Sequence, residues 1–425
     1  MSQLALMGGD RTITKPFSRY NTIGPEESST VQEVLKSGVL SRFLGCWDPD
    51  FFGGEQVQAL EVEWAAYFSV GYAVTVNSNT SGLIAAVGAI GIEPGDEVIV
   101  SPWTMSASAT SILIWNGIPV FADIEGETFN LDPLSIERNI TPRTRAIMLP
   151  DIFGHAADLD AIMDLAEKHS LKVIEDAAQV PGAVYRGRYA GTIGHIGVYS
   201  LNYHKHVHTG EGGVCVTNDP VLAERLQLIR NHAEAVVEDK GVTDLTNMIG
   251  FNFRMTEIEA AIGREQLKKL PALVGQRIAA ADRLTAGIRD LKGIRVPVVK
   301  AGCTHVYYVY PLVYSERETG IPRKTILAAL QAEGVPIGGG YQNLHLQPLY
   351  QKRVAYGKGG FPWTAEFYKG NVSYGKGICP VAEALQDNSF ISIGLCSYTF
   401  TDQEVDSVVR AFRKVWDHLD ELRNV

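Results

Sequence analysis

One lysine lies in a segment that is otherwise rich in histidine and aromatic residues. Lys205 follows Tyr203 and His204, and the Gly-Glu-Gly-Gly sequence at 210–213 leads from it into an apolar run typical of a strand. A lysine in a partly desolvated site has a lowered pKa and can form a Schiff base with a carbonyl compound. The ordinary alternative is a solvent-exposed lysine in a loop, which is the usual environment of this residue type. These residues alone leave both interpretations open.

A carboxylate ends an apolar run upstream of this lysine. The residues Val173–Asp176 are typical of a buried strand, and Asp176 would then lie at its carboxyl end. Ligands of parallel sheets bind at that edge, so Asp176 is a candidate to face one. Aspartate is also favoured as the N-cap of a helix, and this role explains the residue equally well.

A third polar run, Asn-Ser-Asn-Thr-Ser at 77–81, connects a predicted strand to a predicted helix. The N-terminus of a helix has unpaired N–H groups and a favourable dipole for phosphate, which makes Asn79 and Thr80 candidate phosphate ligands. Plain helix capping fits the same residues.

Three alternating histidines, His204, His206 and His208, would share one face of an extended segment and could suggest a metal site. No aspartate, glutamate or cysteine stands near them in a familiar zinc spacing. We therefore expect no metal.

Short apolar runs alternate with helical segments along the first part of the chain. The predicted strands are Tyr72–Val76, Glu97–Ser101, Pro119–Asp123, Thr144–Leu149 and Lys172–Asp176. This alternation predicts an α/β fold with a mostly parallel central sheet and helices on both of its faces.

The sequence pattern changes from about Thr256. Two helices are predicted there, Glu257–Leu270 and Leu273–Leu291, and mixed strands and helices follow them. We expect a smaller C-terminal α+β domain. The predicted division is an N-terminal arm at 1–20, a large domain at 21–275 and a small domain at 276–425.

The composition of the 425 residues is that of a folded globular protein, with 45% hydrophobic and 20% charged residues and a net charge of −10. This balance argues against a surface that binds nucleic acid or an anionic membrane, which would need an excess of basic residues. The five cysteines form no CxxC pair, which is typical of reduced cytoplasmic proteins. We expect no secretory signal, and no apolar run in the sequence approaches the roughly 20 residues needed to span a bilayer.

The three candidate segments, taken in this order, resemble the DegT/DnrJ/EryC1/StrS family of sugar aminotransferases. Any single motif is weak, but their order along almost the whole chain is specific. The motifs are Gly95–Val100, Ile174–Gln179, Ser200 with Lys205 five residues later, Thr209–Gly213, Gly250–Met255, Leu344–Pro348 and Thr401–Val405. The resemblance implies a fold-type-I enzyme that uses pyridoxal 5′-phosphate, with a large cofactor-binding domain and a smaller C-terminal domain.

The resemblance also implies roles for individual residues. Lys205 would hold the cofactor as a Schiff base and later move a proton between the reacting carbons. Asp176 would pair with the pyridine nitrogen and keep it protonated. Gln179 would hydrogen-bond the ring hydroxyl oxygen.

The phosphate and the partner subunit involve further residues. Asn79, Thr80 and Ser200 would contact the cofactor phosphate. Asn252 would reach the phosphate across a subunit interface, which implies a homodimer with shared active sites.

Three features depart from the family pattern. The family usually stacks an aromatic residue on the cofactor ring, where this chain has Met105; its thioether could cover the ring, or Trp103 could replace it. Asp151 stands where the family often has histidine. His204 and His206 flank Lys205 where smaller or amide residues are usual.

The resemblance implies transfer of an amino group from glutamate or glutamine to a keto-sugar, often nucleotide-linked, or to a keto-cyclitol. The alternatives are a dehydratase of the same family, which has histidine in place of the lysine, and a non-catalytic relative. Two segments are candidates to face the acceptor: Leu40–Gly54, which could equally be a dimer contact, and Tyr341–Tyr356 with His345.

Overall fold

The computed structural model describes residues 3–423. Its strands are β1 (Tyr72–Val76), β2 (Glu97–Val100), β3 (Ile118–Phe121), β4 (Thr144–Pro150), β5 (Lys172–Asp176), β6 (Val184–Tyr185), β7 (Arg188–Tyr189), β8 (Ile196–Ser200), β9 (Gly213–Thr217), β10 (Ile294–Arg295), β11 (Tyr310–Tyr314), β12 (Ile337–Gly339) and β13 (Phe390–Ile393). Its α-helices are α1 (Pro25–Ser37), α2 (Glu55–Phe68), α3 (Asn79–Ala89), α4 (Ser106–Ile114), α5 (Pro133–Asn139), α6 (Leu159–Lys168), α7 (Pro220–Arg230), α8 (Val237–Lys240), α9 (Glu257–Ile288), α10 (Glu316–Thr319), α11 (Arg323–Ala332), α12 (Pro348–Lys352), α13 (Pro380–Ala384), α14 (Asp402–Asp417) and α15 (Leu419–Leu422).

The central sheet has seven strands in the order β1-β9-β8-β5-β4-β2-β3. The pairs from β8 through β5, β4 and β2 to β3 are all parallel, and only β9 runs against its two neighbours. The predicted α/β fold with a mostly parallel sheet is confirmed. The carboxyl ends of β4, β5 and β8 lie at one edge, since Pro150 pairs in register with Asp176.

Helix α3 is held tightly against this sheet. Its N-cap Ser78 has extended backbone, and the Ser78 hydroxyl accepts a hydrogen bond from the Ser81 backbone N–H. A Cβ on Gly82 would lie 2.6 Å from the Val198 side chain, so only glycine lets the helix approach β8 this closely. The first turn of α3 is thereby fixed beside the carboxyl end of β1.

A second, antiparallel sheet has the order β10-β11-β13-β12. It belongs to a separate cluster of buried side chains that also includes Leu4 and Ile13 from the N-terminal segment. Part of the C-terminal half instead packs on the first sheet, where the Tyr374 hydroxyl donates to the Pro119 carbonyl at 2.8 Å. The predicted domain limits stay a prediction.

The two helices predicted between 257 and 291 are one continuous helix, α9, and that prediction is wrong. Pro271 lies inside α9, where its missing N–H and its ring cost about 3 kcal/mol in a typical helix. Buried residues continue on both sides of it, including Leu270 and Val274, and α9 packs against α1, α2 and α14. This packing holds the helix through the proline.

No helix within residues 3–423 combines the length and apolar content needed to cross a membrane.

Candidate active site

A cavity of about 150 Å³ lies at the carboxyl ends of the central strands. Seven of the eight predicted site residues line it: Asn79, Thr80, Met105, Asp176, Gln179, Ser200 and Lys205. The fold therefore brings together residues that are far apart in the sequence. The eighth predicted residue, Asn252, is not among those that line it.

Lys205 lies in the loop between β8 and β9 and is only 8% exposed. Its Nζ is 4.2 Å from the centroid of the Tyr308 ring, so the ring face stabilises the ammonium form. Burial lowers the pKa of Lys205 to about 8, while the Asp176 carboxylate acts in the opposite direction. A lysine with this pKa releases its proton near neutral pH, as a nucleophile or a proton carrier must.

Asp176 is the last residue of β5, and donors surround its buried carboxylate. Oδ2 accepts from the Ser108 hydroxyl at 2.7 Å, and Oδ1 accepts from the Asn79 side-chain amide at 3.2 Å and from the Ala178 backbone N–H at 3.3 Å. Burial raises the pKa of Asp176, whereas these hydrogen bonds and the charge of Lys205 lower it. The arrangement suits a carboxylate that pairs with a cation.

Gln179 has a fixed amide orientation. Its Oε1 accepts a hydrogen bond of 2.7 Å from the Phe153 backbone N–H. Its Nε2 is therefore the group that can donate to a ligand oxygen.

The start of α3 forms the polar end of the cavity. Within residues 3–423 the backbone N–H groups of Asn79 and Thr80 donate to no protein acceptor, as expected for the first turn of a helix. Ser200 is buried beside this turn and also lines the cavity. The Asn79 side chain, in contrast, is directed to Asp176, so only its backbone is available to an anion.

The two candidates for covering a cofactor ring differ in position. Met105 lines the cavity and is 60% exposed. Trp103 is fully buried, and its Nε1 donates to Asn343 Oδ1 at 2.7 Å. The alternative that Trp103 turns into the site is wrong, because a polar partner and an aromatic cluster hold the indole elsewhere.

Asn252 lies outside the cavity of its own chain. Its Oδ1 accepts from Arg254 Nε at 2.8 Å, and its backbone carbonyl accepts from the Asn77 side chain at 3.4 Å. Its predicted contact with a phosphate of the partner subunit stays a prediction.

The three alternating histidines do not share one face, because the chain bends at this point. His204 lines the cavity, and burial lowers its pKa to about 4. His206 is fully buried and bonds the Val306 carbonyl through Nε2 at 2.9 Å. Residues 3–423 contain no group of three or more histidine, cysteine, aspartate or glutamate side chains that could hold a metal ion.

His345 cannot face an acceptor as suggested. It is fully buried, and its Nε2 is 2.9 Å from the Glu383 carboxylate. The pair holds the segment that follows β12 in place.

Sequence reasoning missed two residues that act on the site. Ser108 bonds Asp176 from the first turn of α4, a position that could have been found from its place after β2. Tyr308 reaches Lys205 from just before β11, more than 100 residues away, and no local pattern marks such a contact.

These residues fit pyridoxal phosphate. The cavity offers an amine for its carbonyl carbon, a carboxylate for its ring nitrogen, an amide donor for its ring oxygen and a helix N-terminus for its phosphate. The buried Oδ1 of Asn79, whose side chain is directed to Asp176, lacks a hydrogen-bond partner within residues 3–423, which indicates that a donor from a ligand or water completes the site there.

Comparisons with known proteins agree with this geometry. Residues 21–411 match the DegT/DnrJ/EryC1/StrS aminotransferase family. The chain is 32% identical over 436 residues to the L-glutamine:2-deoxy-scyllo-inosose aminotransferase of Streptoalloteichus tenebrarius, with 99% of each chain covered. It is 35% identical over 336 residues to the dTDP-3-amino-3,4,6-trideoxy-alpha-D-glucose transaminase of Streptomyces venezuelae, with 78% of this chain and 82% of that protein covered.

A solved structure gives the same result. The S. venezuelae DesV structure in complex with a ketimine intermediate superimposes with a TM-score of 0.76 at 31% identity and covers 92% of this chain and 94% of DesV. The chain belongs to the DegT/DnrJ/EryC1/StrS aminotransferase family and is an aminotransferase that depends on pyridoxal phosphate.

Proposed function

We propose that this enzyme transfers an amino group from glutamate or glutamine to a keto-sugar or a keto-cyclitol, with Lys205 as the lysine that carries the cofactor. One observation carries the proposal: a buried lysine of lowered pKa and a buried carboxylate, Asp176, line the same cavity.

Pyridoxal phosphate supplies the carbonyl group that binds the amine and the ring that withdraws electrons from the reacting carbon. Asp176 pairs with the protonated ring nitrogen, and its hydrogen bonds from Ser108 and Asn79 keep it ionised there. Gln179 donates Nε2 to the ring oxygen, because Phe153 already occupies its Oε1.

The other residues fix the phosphate and the open face of the ring. The backbone N–H groups of Asn79 and Thr80 and the Ser200 hydroxyl hold the phosphate at the start of α3. Met105 covers the ring, which its position on the cavity and the polarizability of sulfur support.

Lys205 moves the proton that amino transfer requires. With the cofactor bound, the Lys205 amine would be the group that takes a proton from one reacting carbon and returns it at the other. A pKa of about 8 suits both directions, since the free amine and the ammonium are both populated near neutral pH.

The acceptor class rests on the relatives. One of them is named for 2-deoxy-scyllo-inosose, a keto-cyclitol acceptor, with glutamine as donor, and another for a dTDP-linked amino sugar. The match to the first covers almost the full length of both chains. We therefore place the acceptor among keto-cyclitols and keto-sugars, the latter often nucleotide-linked.

We further propose a cytoplasmic homodimer with shared sites, in which Asn252 of each subunit reaches the other subunit's phosphate. The exposed side chains of Leu44, Trp47 and Ile249 support it, because segments 43–52 and 249–254 pack together and present apolar surface next to Asn252. The free cysteines are consistent with a cytoplasmic location.

One assay, run on two classes of acceptor, tests the function. Mass spectrometry after incubation with glutamine and 2-deoxy-scyllo-inosose, and in parallel with keto-sugar nucleotides, should detect an aminated product of at least one acceptor. A product that has lost a hydroxyl group without gaining nitrogen would instead establish the dehydratase alternative, and no product from any acceptor would favour a non-catalytic relative.

A mixing experiment tests the shared site. Lys205→Ala and Asn252→Ala homodimers should each be nearly inactive. Their co-expressed mixture should regain activity, because a heterodimer then has one intact site of its two. No recovery from a mixture shown to contain heterodimers would contradict the shared site.

A further inference from the structure

Asp151 is a buried carboxyl group that the proposed reaction does not use. It follows β4 directly, is 1% exposed and lines the cavity that holds Lys205 and Asp176. Its backbone N–H donates to the Asp176 carbonyl at 3.2 Å, so the two residues end adjacent strands side by side.

Three buried carboxyl groups meet at this edge of the sheet, and they differ in how many donors they receive. Glu175 accepts from the backbone N–H groups of Gly191, Ile193 and Gly194. Asp176 accepts from Ser108, Asn79 and Ala178. Asp151 accepts only from the Ala157 N–H, at 2.8 Å to Oδ1, and its buried Oδ2 has no partner within residues 3–423.

The donors decide which group is charged. N–H and O–H donors stabilise an ionised oxygen. A buried oxygen without donors is destabilised in its ionised form by the full free energy of desolvation. Like charges this close also oppose each other, so one of the three groups binds a proton most easily. Because Oδ2 of Asp151 accepts no hydrogen bond, protonation of this oxygen requires less free energy than protonation of Glu175 or Asp176.

We propose that Asp151 is a neutral carboxylic acid with its proton on Oδ2, so that Asp176 alone presents a negative charge to the cofactor ring. The second part rests on the proposed function of Asp176. Asp151 is then a positioning residue: it fills the space behind the site with a polar group and adds no second charge.

The electrostatic surroundings agree. Burial raises the pKa of Asp151 well above its ordinary value, and the charges of Glu175 and Asp176 raise it further, against the Ala157 hydrogen bond. A charge on Asp151 would also raise the pKa values of Tyr199 and of the Cys303 thiol. Both are neutral at neutral pH, since burial raises their pKa values as well.

Infrared spectroscopy tests the protonation state directly. The wild-type protein at neutral pH should show the carbonyl band of a protonated carboxylic acid, shifted in D₂O, both with and without bound pyridoxal phosphate. Asp151→Asn should lose this band. Asp164→Asn, which alters an exposed aspartate on α6, should keep it.

Thermal unfolding gives a second signature that packing alone would not produce. Folded Asp151 keeps its proton at a pH where the unfolded chain has lost it, so wild-type stability falls as pH rises above the ordinary aspartate pKa. Asp151→Asn has no proton to lose at this position, so its stability should not fall in this way. The melting temperature of Asp151→Asn minus that of the wild type should therefore increase as pH rises. In the loaded enzyme its cofactor Kd should stay within about threefold of wild type, as expected when one neutral group replaces another.

Three results would overturn the proposal: a wild-type spectrum without the band, a band that persists in Asp151→Asn, or a melting difference that does not change with pH. If Asp151→Asn fails to fold, a wild-type spectrum without the band still overturns the proposal. These readouts do not depend on amino transfer, so a failure of the proposed function would be seen separately in the product assay.

Discussion

The hydrogen bond from Ser108 to Asp176 permits a sharp test of how the site keeps its carboxylate charged. The bond is 2.7 Å long and both groups are buried. Ser108→Ala removes the only donor to Oδ2 within residues 3–423 and leaves the Asn79 and Ala178 bonds to Oδ1 in place. The ionised form of Asp176 loses stabilisation, and the protonated form does not.

The size of the effect follows from the charge. A hydrogen bond to a charged group contributes about 1.5–3 kcal/mol, which corresponds to a rise of about 1–2 units in the pKa of Asp176. Under the proposed function, cofactor binding requires the ionised carboxylate. In a plot of cofactor affinity against pH, the pH below which affinity falls should therefore rise by about 1–2 units. Below that pH the variant should bind the cofactor about tenfold or more weakly than wild type, and at alkaline pH it should lose little affinity.

The assay is a titration with pyridoxal phosphate, followed by its visible absorption, at a series of pH values. Ser111→Ala is the matched control: it is a buried serine on the same helix, and its hydroxyl bonds the Ser108 carbonyl without reaching Asp176. Ser111→Ala should reproduce the wild-type profile.

Two outcomes would refute this reasoning. One is a pair of superimposable profiles for Ser108→Ala and Ser111→Ala. The other is a loss of affinity in Ser108→Ala that is equal at every pH, which would indicate distorted packing and not a destabilised carboxylate.

Further predictions concern the lysine and the C-terminal segment. The rate at which pyridoxal phosphate attaches to the free enzyme should rise with pH and level off above about 8, the pKa of Lys205, in stopped-flow measurements; a rate independent of pH would contradict that pKa. Tyr308→Leu removes a desolvated cation–π contact of about 1–2 kcal/mol and should lower this midpoint by about one unit, while Tyr308→Phe should keep it; equal midpoints in both variants would exclude the contact. Glu383→Ala leaves His345 and two backbone N–H groups without an acceptor. Denaturant unfolding should show that the free energy of unfolding falls by about 3 kcal/mol. The control Glu366→Ala, at an exposed position, should change it by less than about 0.5 kcal/mol. A similar effect in both glutamate variants would show that the buried pair is unimportant.

The central strands could be predicted from the sequence because each is a short apolar run bounded by turn residues. β1 and β5 have the predicted limits, and the polar residues that follow the strands meet at one edge. That Lys205 and Asp176 line one cavity is a consequence of this parallel order, since ligands of such sheets lie at the carboxyl ends of the strands.

Other features depend on contacts that no local pattern encodes. Pro271 predicts a helix break, yet packing on both sides carries α9 through it. Trp103 lies two residues before Met105 and could have replaced it over the cofactor ring, but a bond to Asn343, 240 residues away, holds the indole outside the cavity. His345 lies in a segment predicted to face the acceptor, but its imidazole is buried against the Glu383 carboxylate. In each case tertiary packing overrides a sound local expectation.

The visible absorption spectrum of the purified enzyme with pyridoxal phosphate, recorded before and after glutamate or glutamine is added, tests the central claim most directly. We predict a band of the lysine-bound cofactor that one of these donors bleaches and that Lys205→Ala lacks, whereas Lys168→Ala, an exposed lysine on α6, retains it. A band that persists in Lys205→Ala, or a wild-type enzyme that forms none, would contradict the assignment of Lys205 as the cofactor lysine.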